Sequence, residues 1–121
     1  MSAPRTLLRG TPARLVKALA RLIGASGTVP LYPMLVVEAA TTRTWSSATF
    51  DGECHRLELR LHGSVDEICA AVGRLTDDLP EYEFDLPGLI VAEARLASVA
   101  IDPDPSVAAL ALVVEITTVV D

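Results

Sequence analysis

The sequence predicts an α+β two-layer sandwich: a mostly antiparallel four-stranded sheet carrying two helices, in the order α-β-β-α-β-β. Two periodicities predict this fold. Apolar residues recur at helical spacing in two segments, and alternating or β-branched runs mark four others. A chain of 121 residues fits one domain with a real core, burying roughly 65% of its unfolded surface. We therefore expect an N-terminal arm over residues 1–10 and a single domain over 11–121.

The first helix is expected to begin at Thr11 and Pro12, because a hydroxyl residue followed by proline is a common helix start. Gly24 and Gly27 then provide residues suited to ending it. The apolar residues that share one face of this helix are Leu15, Leu19, Leu22 and Ile23.

Met34–Ala40 is predicted to be the first strand. The segment Thr41–Gly52 after it is polar, with Trp45 and Phe50 embedded in it. Two interpretations of this segment stay open. It forms either a long hairpin loop or strand extensions that project from the sheet, and in both cases we expect it to contact a neighbouring molecule.

Arg56–His62 alternates without a break, which predicts a half-buried strand. Its inward residues are Leu57, Leu59 and Leu61. Ser64 and Glu67 then have the spacing of a capping box, which predicts a second helix ending before Pro80. The apolar face of that helix comprises Ile68, Val72, Leu75 and Leu79. We expect Cys69 to behave as a small core residue on it.

Two long β-rich runs complete the domain. They are Leu89–Ile101 and Val107–Val120, and the prolines and aspartates of 102–106 between them form a strong turn signal. Alternation in the last run places Leu112, Val114 and Ile116 on one face.

The net charge of −6 is unevenly distributed along the chain. Residues 1–63 hold 8 basic and 4 acidic side chains, whereas residues 64–121 hold 2 basic and 12 acidic ones. Such a subunit is expected to present two electrostatically different faces, which suits head-to-tail contacts.

No group of residues predicts an enzyme, and we expect no catalytic, cofactor or metal site. Cys54 and His55 are adjacent in a strand, so their side chains point to opposite faces and do not form a nucleophile and base. With His62 and Cys69 they supply zinc-ligand types, but in no compact zinc spacing. Both cysteines are expected to be reduced and the histidines to lie at the surface.

Composition also limits the partners. No apolar run reaches the roughly 18 residues that a membrane helix needs, and no signal peptide follows the N-terminal arginines. We therefore expect no membrane partner and a cytoplasmic product. Trp45 beside Arg43 is one aromatic in an acidic chain, so sequence-specific nucleic-acid binding is not expected.

The order of several short features carries a resemblance to a known family. They are Tyr32-Pro33, the strand Leu35–Glu38, Trp45-Ser46, Cys54-His55, Asp66-Glu67-Ile68 and Asp102-Pro103-Asp104. Over residues 11–120 this order resembles the tail terminator, or tail completion, proteins of siphophage-like tails and gene transfer agents. That family often has Phe-Pro-Tyr before the first strand, where this chain has Leu31-Tyr32-Pro33.

The resemblance implies a structural role. Such a subunit forms a homohexameric ring that caps the tail tube at its head-proximal end and docks the head–tail connector. Its partners would be further copies of itself, the tail tube protein and the connector protein, in the cytoplasm during assembly and then in the neck of the particle. The candidate interface residues are Arg43, Trp45 and Phe50.

Two alternatives stay open. One is a different ring of the same particle, either the head–tail connector or the tube subunit. The other is a small α+β ligand-binding domain with a pocket between helices and sheet. Polar residues converging on the apolar faces would favour the latter.

Overall fold

A computed structural model describes residues 9–24, 34–101 and 109–120 of the chain. These ranges form two helices and a four-stranded antiparallel sheet in the order α-β-β-α-β-β, as predicted. The elements are α1 (Gly10–Leu22), β1 (Met34–Ser46), β2 (Asp51–His62), α2 (Val65–Asp77), β3 (Leu89–Ile101) and β4 (Ala109–Val120). A single 3-10 turn, Leu79–Glu81, follows α2.

The strand order in the sheet is β1-β2-β4-β3, and every neighbouring pair is antiparallel. The sheet thus consists of two hairpins, β1–β2 and β3–β4, joined along β2 and β4. The edges are β1 and β3, each 13 residues long. The register is irregular at Glu38 in β1 and at Ala92 and Ala97 in β3.

The core lies between the helices and one face of the sheet. The predicted inward residues of β2 are 0–2% exposed, which confirms the alternation, and the three predicted for β4 are buried beside them. The helices cover them with Leu15, Leu19, Ile68, Ala71 and Leu75. The other face of the sheet, which carries the alternate residues, is called the open face below.

The predicted capping box of α2 is present. The Glu67 backbone N–H donates to Ser64 Oγ over 3.1 Å, and the Ser64 backbone N–H donates to Glu67 Oε1 over 2.9 Å. The helix ends before Pro80, which lies in the 3-10 turn and brings Leu79 into the core.

The start of α1 differs from the prediction. The helix begins at Gly10, and its N-cap is Arg9, whose side chain makes no capping hydrogen bond, so Thr11 is not the cap. Gly10, with φ of +66°, turns the chain into the helix before that hydroxyl is reached. Gly24, with φ of +80°, closes the helix as expected and donates its N–H to Arg21 O. Gly27, Pro30 and Pro33 lie outside the described residues, as do most of the arm and the predicted turn at 102–106.

The polar segment Thr41–Gly52 consists of strand extensions, not of a long loop. Strand β1 continues to Ser46, and β2 already begins at Asp51. The hairpin turn is closed by Ser47, whose backbone N–H donates to Phe50 O over 2.7 Å and whose Oγ accepts from the Phe50 N–H over 3.0 Å.

Two expectations about burial are wrong. Cys69 is exposed, because the buried face of α2 is centred on Ile68, Ala71 and Leu75 and the next residue in a helix points about 100° away. His55 is 1% exposed and lies in the interior instead of at the surface. Both cysteines are free, as expected.

Candidate functional site

A groove on the open face brings together the charged residues of all four strands. It lies over the middle of the sheet, where no described part of the chain covers the open face. Its lining residues are Thr41, Arg43, Cys54, His55, Arg56, Glu93, Arg95, Glu115 and Thr117. Most of these side chains belong to two sets of residues that are aligned across the four strands. The register between the strands therefore determines which residues line the groove.

Glu115 is the centre of the ion pairs in this groove. Its carboxylate is paired with Arg56 Nη1 at 3.6 Å and with the Arg95 guanidinium. Arg95 Nε also lies 3.8 Å from Glu93 Oε1. Because these side chains are partly solvated, each pair contributes little to stability on its own, about 0–1 kcal/mol.

Arg43, a predicted interface residue, lies at the edge of the groove on β1. It is exposed and stands opposite Cys54 of β2. Cys54 in turn has its Sγ 3.7 Å from Thr117 Oγ1 on β4. Among the described residues no carboxylate is paired with Arg43, which leaves its guanidinium available to a partner molecule.

Trp45, the second predicted interface residue, is half-buried on the open face near the tip of the β1–β2 hairpin. It stands opposite Gly52, and the absence of a side chain at Gly52 lets the indole lie against the backbone. The indole Nε1 is buried and has no hydrogen-bond partner among the described residues. An unpaired buried N–H is costly, so a carbonyl or carboxylate supplied by another molecule would stabilise it.

Phe50, the third candidate, lies in the hairpin turn and is 56% exposed. It sits on the same hairpin end as Trp45, while Arg43 is two residues before Trp45 on β1. The structure therefore places all three candidates on one hairpin. Its strands do not project as expected, because residues 41–45 belong to rows that cross all four strands. Thr44 and Ser46 beside them are exposed as well, so the hairpin end is outside the core.

His55 forms a buried polar cluster that the sequence analysis missed. Its Nδ1 lies 3.0 Å from Thr42 Oγ1 and its Nε2 lies 3.1 Å from Thr118 Oγ1. Glu53 Oε1 is 3.9 Å from Nε2 on the solvent side of the cluster. Thr118 is also buried, at 1% exposure, so strands β1, β2 and β4 are tied together at the end of the core.

The hydrogen bonds favour one tautomer of this imidazole. The Thr118 hydroxyl donates to Glu53 O over 3.5 Å, so it accepts from His55 Nε2–H, and Thr42 donates to Nδ1. Burial lowers the pKa of His55 below its usual value, with Glu53 opposing this more weakly. The ring is thus a neutral structural group whose two nitrogens are both occupied, and it presents no free nitrogen to a substrate or metal.

The alternation of β2 contained the signal for this cluster. Extending the inward pattern back from Leu57 by two residues places His55 on the core face. Its partners could not be found this way, because Thr42 and Thr118 reach the ring only through the register of three strands.

The remaining predicted ligand types do not meet. Cys54 faces the open side while His55 faces the core, and Cys69 is exposed on α2. Within residues 9–24, 34–101 and 109–120, no three His, Cys, Asp or Glu residues are placed to hold a metal ion. In the same ranges no helix is long and apolar enough to cross a bilayer.

The charge asymmetry of the sequence is partly offset within the chain. One cleft is lined by the basic residues of α1, Arg14, Lys17 and Arg21, and by the acidic residues Glu83 and Asp85. Arg14 Nη2 also donates to Pro87 O over 3.1 Å. At this place residues of the basic and acidic halves line the same cleft.

The fold by itself does not assign a function, because α+β sandwiches host many unrelated activities. Comparison with models of known protein families, with curated proteins and with solved structures gave no match.

Proposed function

We propose that this protein is a structural subunit of a phage-like tail or gene transfer agent particle. Its role is that of a tail terminator, which forms a homohexameric ring on the head-proximal end of the tail tube and docks the head–tail connector. The element order seen in the structure agrees with the order on which the resemblance rests. The proposal places function in assembly contacts rather than in a catalytic centre.

The observation that carries the proposal is the pair of long edge strands. An edge strand exposes unpaired backbone N–H and C=O groups, which readily pair with another chain. Apolar side chains accompany this edge on β3, where Ile90, Val99 and Ile101 are 50%, 44% and 82% exposed. A subunit whose β edges are covered by neighbouring copies accounts for side chains that are costly to leave in water.

The β1–β2 hairpin offers a second contact, suited to the tube or the connector. Its end carries the exposed Phe50, with the half-buried Trp45 and the exposed Arg43 next to it on β1. Aromatic and arginine side chains are the types that contribute most at protein interfaces. Ile90 of β3 is aligned across the sheet with Trp45 of β1, so Arg43 and Trp45 also belong to the β1 edge contact. Phe50 in the turn lies beyond the paired strands and is left for the tube or the connector.

Deletion of the coding sequence in the particle-producing host tests the role. We expect filled heads together with over-long or headless tails in electron micrographs, and restoration by the wild-type chain supplied in trans. Native mass spectrometry of the purified protein or of assembled necks should give a hexamer. Tails of normal length that detach from heads would indicate a connector, and loss of all tubes would indicate a tube subunit. A strict monomer in assembled particles would overturn the ring.

A small ligand-binding domain is the second candidate, and the open-face groove is the observation that favours it. It places three arginines, Arg43, Arg56 and Arg95, around one surface. Two of them are already held by Glu115, however, so an anion would have to displace that carboxylate. If the groove has no ligand-binding role, replacing Arg56 with Gln should leave both particle assembly and particle activity intact. Loss of particle infectivity or transfer with normal assembly would support the ligand-binding role.

A further inference from the structure

The two edges of the sheet run in opposite directions. Because the order is β1-β2-β4-β3 and all neighbours are antiparallel, strand directions alternate across the sheet and β3 is antiparallel to β1. When β3 of one copy is placed beside β1 of a second copy, the alternation continues without interruption. The contact joins two different edges, so it can repeat from copy to copy and close into a ring.

The side chains at the two ends of the sheet's cross-strand rows are complementary. A row is the set of residues aligned across all four strands, and one open-face row runs Arg43, Cys54, Thr117, Glu93. Arg43 is the basic residue of β1, and Glu93 is the acidic residue of β3. Opposite charges therefore lie at the two ends of the same row.

Other open-face rows end in apolar residues on both edges. The row through Gly52 begins at Trp45 and ends at Ile90. The row that begins at Val36 ends at Ala100. Alignment of equal rows between two copies would bring apolar residues opposite one another at both ends of the open face.

The core-face rows behave in the same way. Leu35 and Ile101 end one row, and Val37 and Val99 end another. Ile101 and Val99 are exposed, whereas Leu35 and Val37 are half-buried at the rim of the core. A second copy placed on this edge would cover the exposed pair and extend the apolar layer across the boundary.

We propose that copies of this chain associate by antiparallel pairing of β3 with β1 of the next copy. In the proposed register, each row of one copy continues into the same row of the next copy, so that Glu93 lies opposite Arg43. This inference rests on the proposed self-association and specifies its surface. A slip by one row along the strands would set Arg43 against Arg95 or against Ile90. A slip by one residue would place open-face side chains of one copy beside core-face side chains of the next. The charge pair and the apolar pairs are therefore both formed in the same register.

Disulfide trapping tests the register. Chains carrying Val37→Cys are co-expressed with chains carrying Val99→Cys, and the native cysteines are retained in both. After oxidation, peptide mass spectrometry is used to search for a bridge between the two new cysteines. The pair Val36→Cys and Ala100→Cys tests the open face in the same way. Opposed residues on antiparallel strands have Cα atoms about 4.5–5.5 Å apart, within the range of about 4.4–6.8 Å found in disulfides. The matched control pairs Val37→Cys with Ala100→Cys, which lie on opposite faces of the sheet.

The expected result is bridging in both aligned pairs and loss of bridging in the control pair. Arg43→Glu and Glu93→Arg should each weaken assembly in native mass spectra, and combining them in one chain should restore it. Rings that assemble normally without any of these bridges would overturn the β3–β1 contact and leave the proposed function standing. Bridging of Val99→Cys with itself would indicate a two-fold β3–β3 contact and also overturn it. A wild-type chain that stays monomeric in the particle would overturn both proposals.

Discussion

The indole of Trp45 occupies the space that a side chain at Gly52 would need. A Cβ built on Gly52 would lie 2.6 Å from Trp45 Cε2 and Cζ2, and it would also overlap the backbone oxygen of Thr118. The glycine therefore makes room for an aromatic residue near the end of the β1–β2 hairpin and allows close approach of β4.

Replacing Gly52 with Ala should destabilise the protein by about 1–3 kcal/mol, the usual cost of overpacking. The backbone of Thr118 cannot yield as a flexible side chain would, so the Trp45 ring must move and its fluorescence should change. Urea unfolding followed by that fluorescence measures both effects. The control is Gly73→Ala in α2, where nothing lies within 4 Å and helix propensity favours alanine by about 1 kcal/mol. Equal stability of the two variants would contradict the packing argument.

Acidification should lower the stability of the wild type through His55. Burial depresses the pKa of this imidazole from 6.5, so the folded state favours the neutral ring more than the unfolded state does. The stability gained from this is fully present above the unfolded pKa of about 6.5 and is lost as pH falls from there through the lower folded pKa.

Urea unfolding at about pH 7.5 and about pH 5.5 brackets the start of this transition. His55→Gln keeps a donor and an acceptor but removes the titration, so its stability should depend less on pH over this interval. His62→Gln, on the open face, is the matched histidine-to-glutamine change outside this cluster. A His55→Gln variant with the full wild-type dependence would assign the effect to other groups.

Removal of the Trp45 indole should affect assembly more than folding. The residue is half-buried on the open face, outside the helix-covered core, so Trp45→Ala should cost well below the about 3–5 kcal/mol typical of a core aromatic. Circular dichroism should show a normal fold, while native mass spectra should show loss of the ring. Val65→Ala, at an exposed position on α2, is the control. Unfolding of the Trp45→Ala monomer would assign the residue to the core.

An aspartate at Leu59 should prevent folding. Leu59 is 2% exposed at the centre of β2, and a carboxylate there would be buried without a partner. We expect a loss above about 4 kcal/mol, and particles carrying Leu59→Asp should match the deletion. Glu58→Gln changes the next residue on the exposed open face and should fold normally. A Leu59→Asp chain that shows a cooperative thermal unfolding transition like that of the wild type would contradict the assignment of Leu59 to the core.

Some elements could be predicted to the residue because their ends carry strong local signals. Strand β3 begins after Gly88 and ends before the proline- and aspartate-rich residues 102–106, and its predicted bounds are confirmed. Helix α2 was bounded by Ser64 in the same way. The extension of β1 to Ser46 had no such signal, since its residues beyond Ala40, apart from the half-buried Trp45, are polar and exposed and show no alternation.

The candidate site was less predictable, because it depends on register between distant strands. Glu115 and Arg56 are adjacent on the open face only through the β2–β4 pairing. The prediction that Cys69 lies in the core is wrong because the apolar face of a helix is only about 100° wide, and a residue at its edge can point to solvent. Local pattern fixes which way a strand residue points, whereas its partner is decided by how two hairpins dock.

The same arrangement of hairpins has a kinetic consequence. Strands β1 and β2 are joined by a four-residue turn over 47–50, so this hairpin can close rapidly over a short loop. The junction of β2 with β4 joins residues far apart in sequence, such as His55 and Thr118, which are 63 positions apart. Ordering this junction requires closing a much longer loop, which slows folding more than it lowers stability. We therefore expect the β2–β4 junction to limit the folding rate, with the free hairpin edges exposed to other chains until it forms.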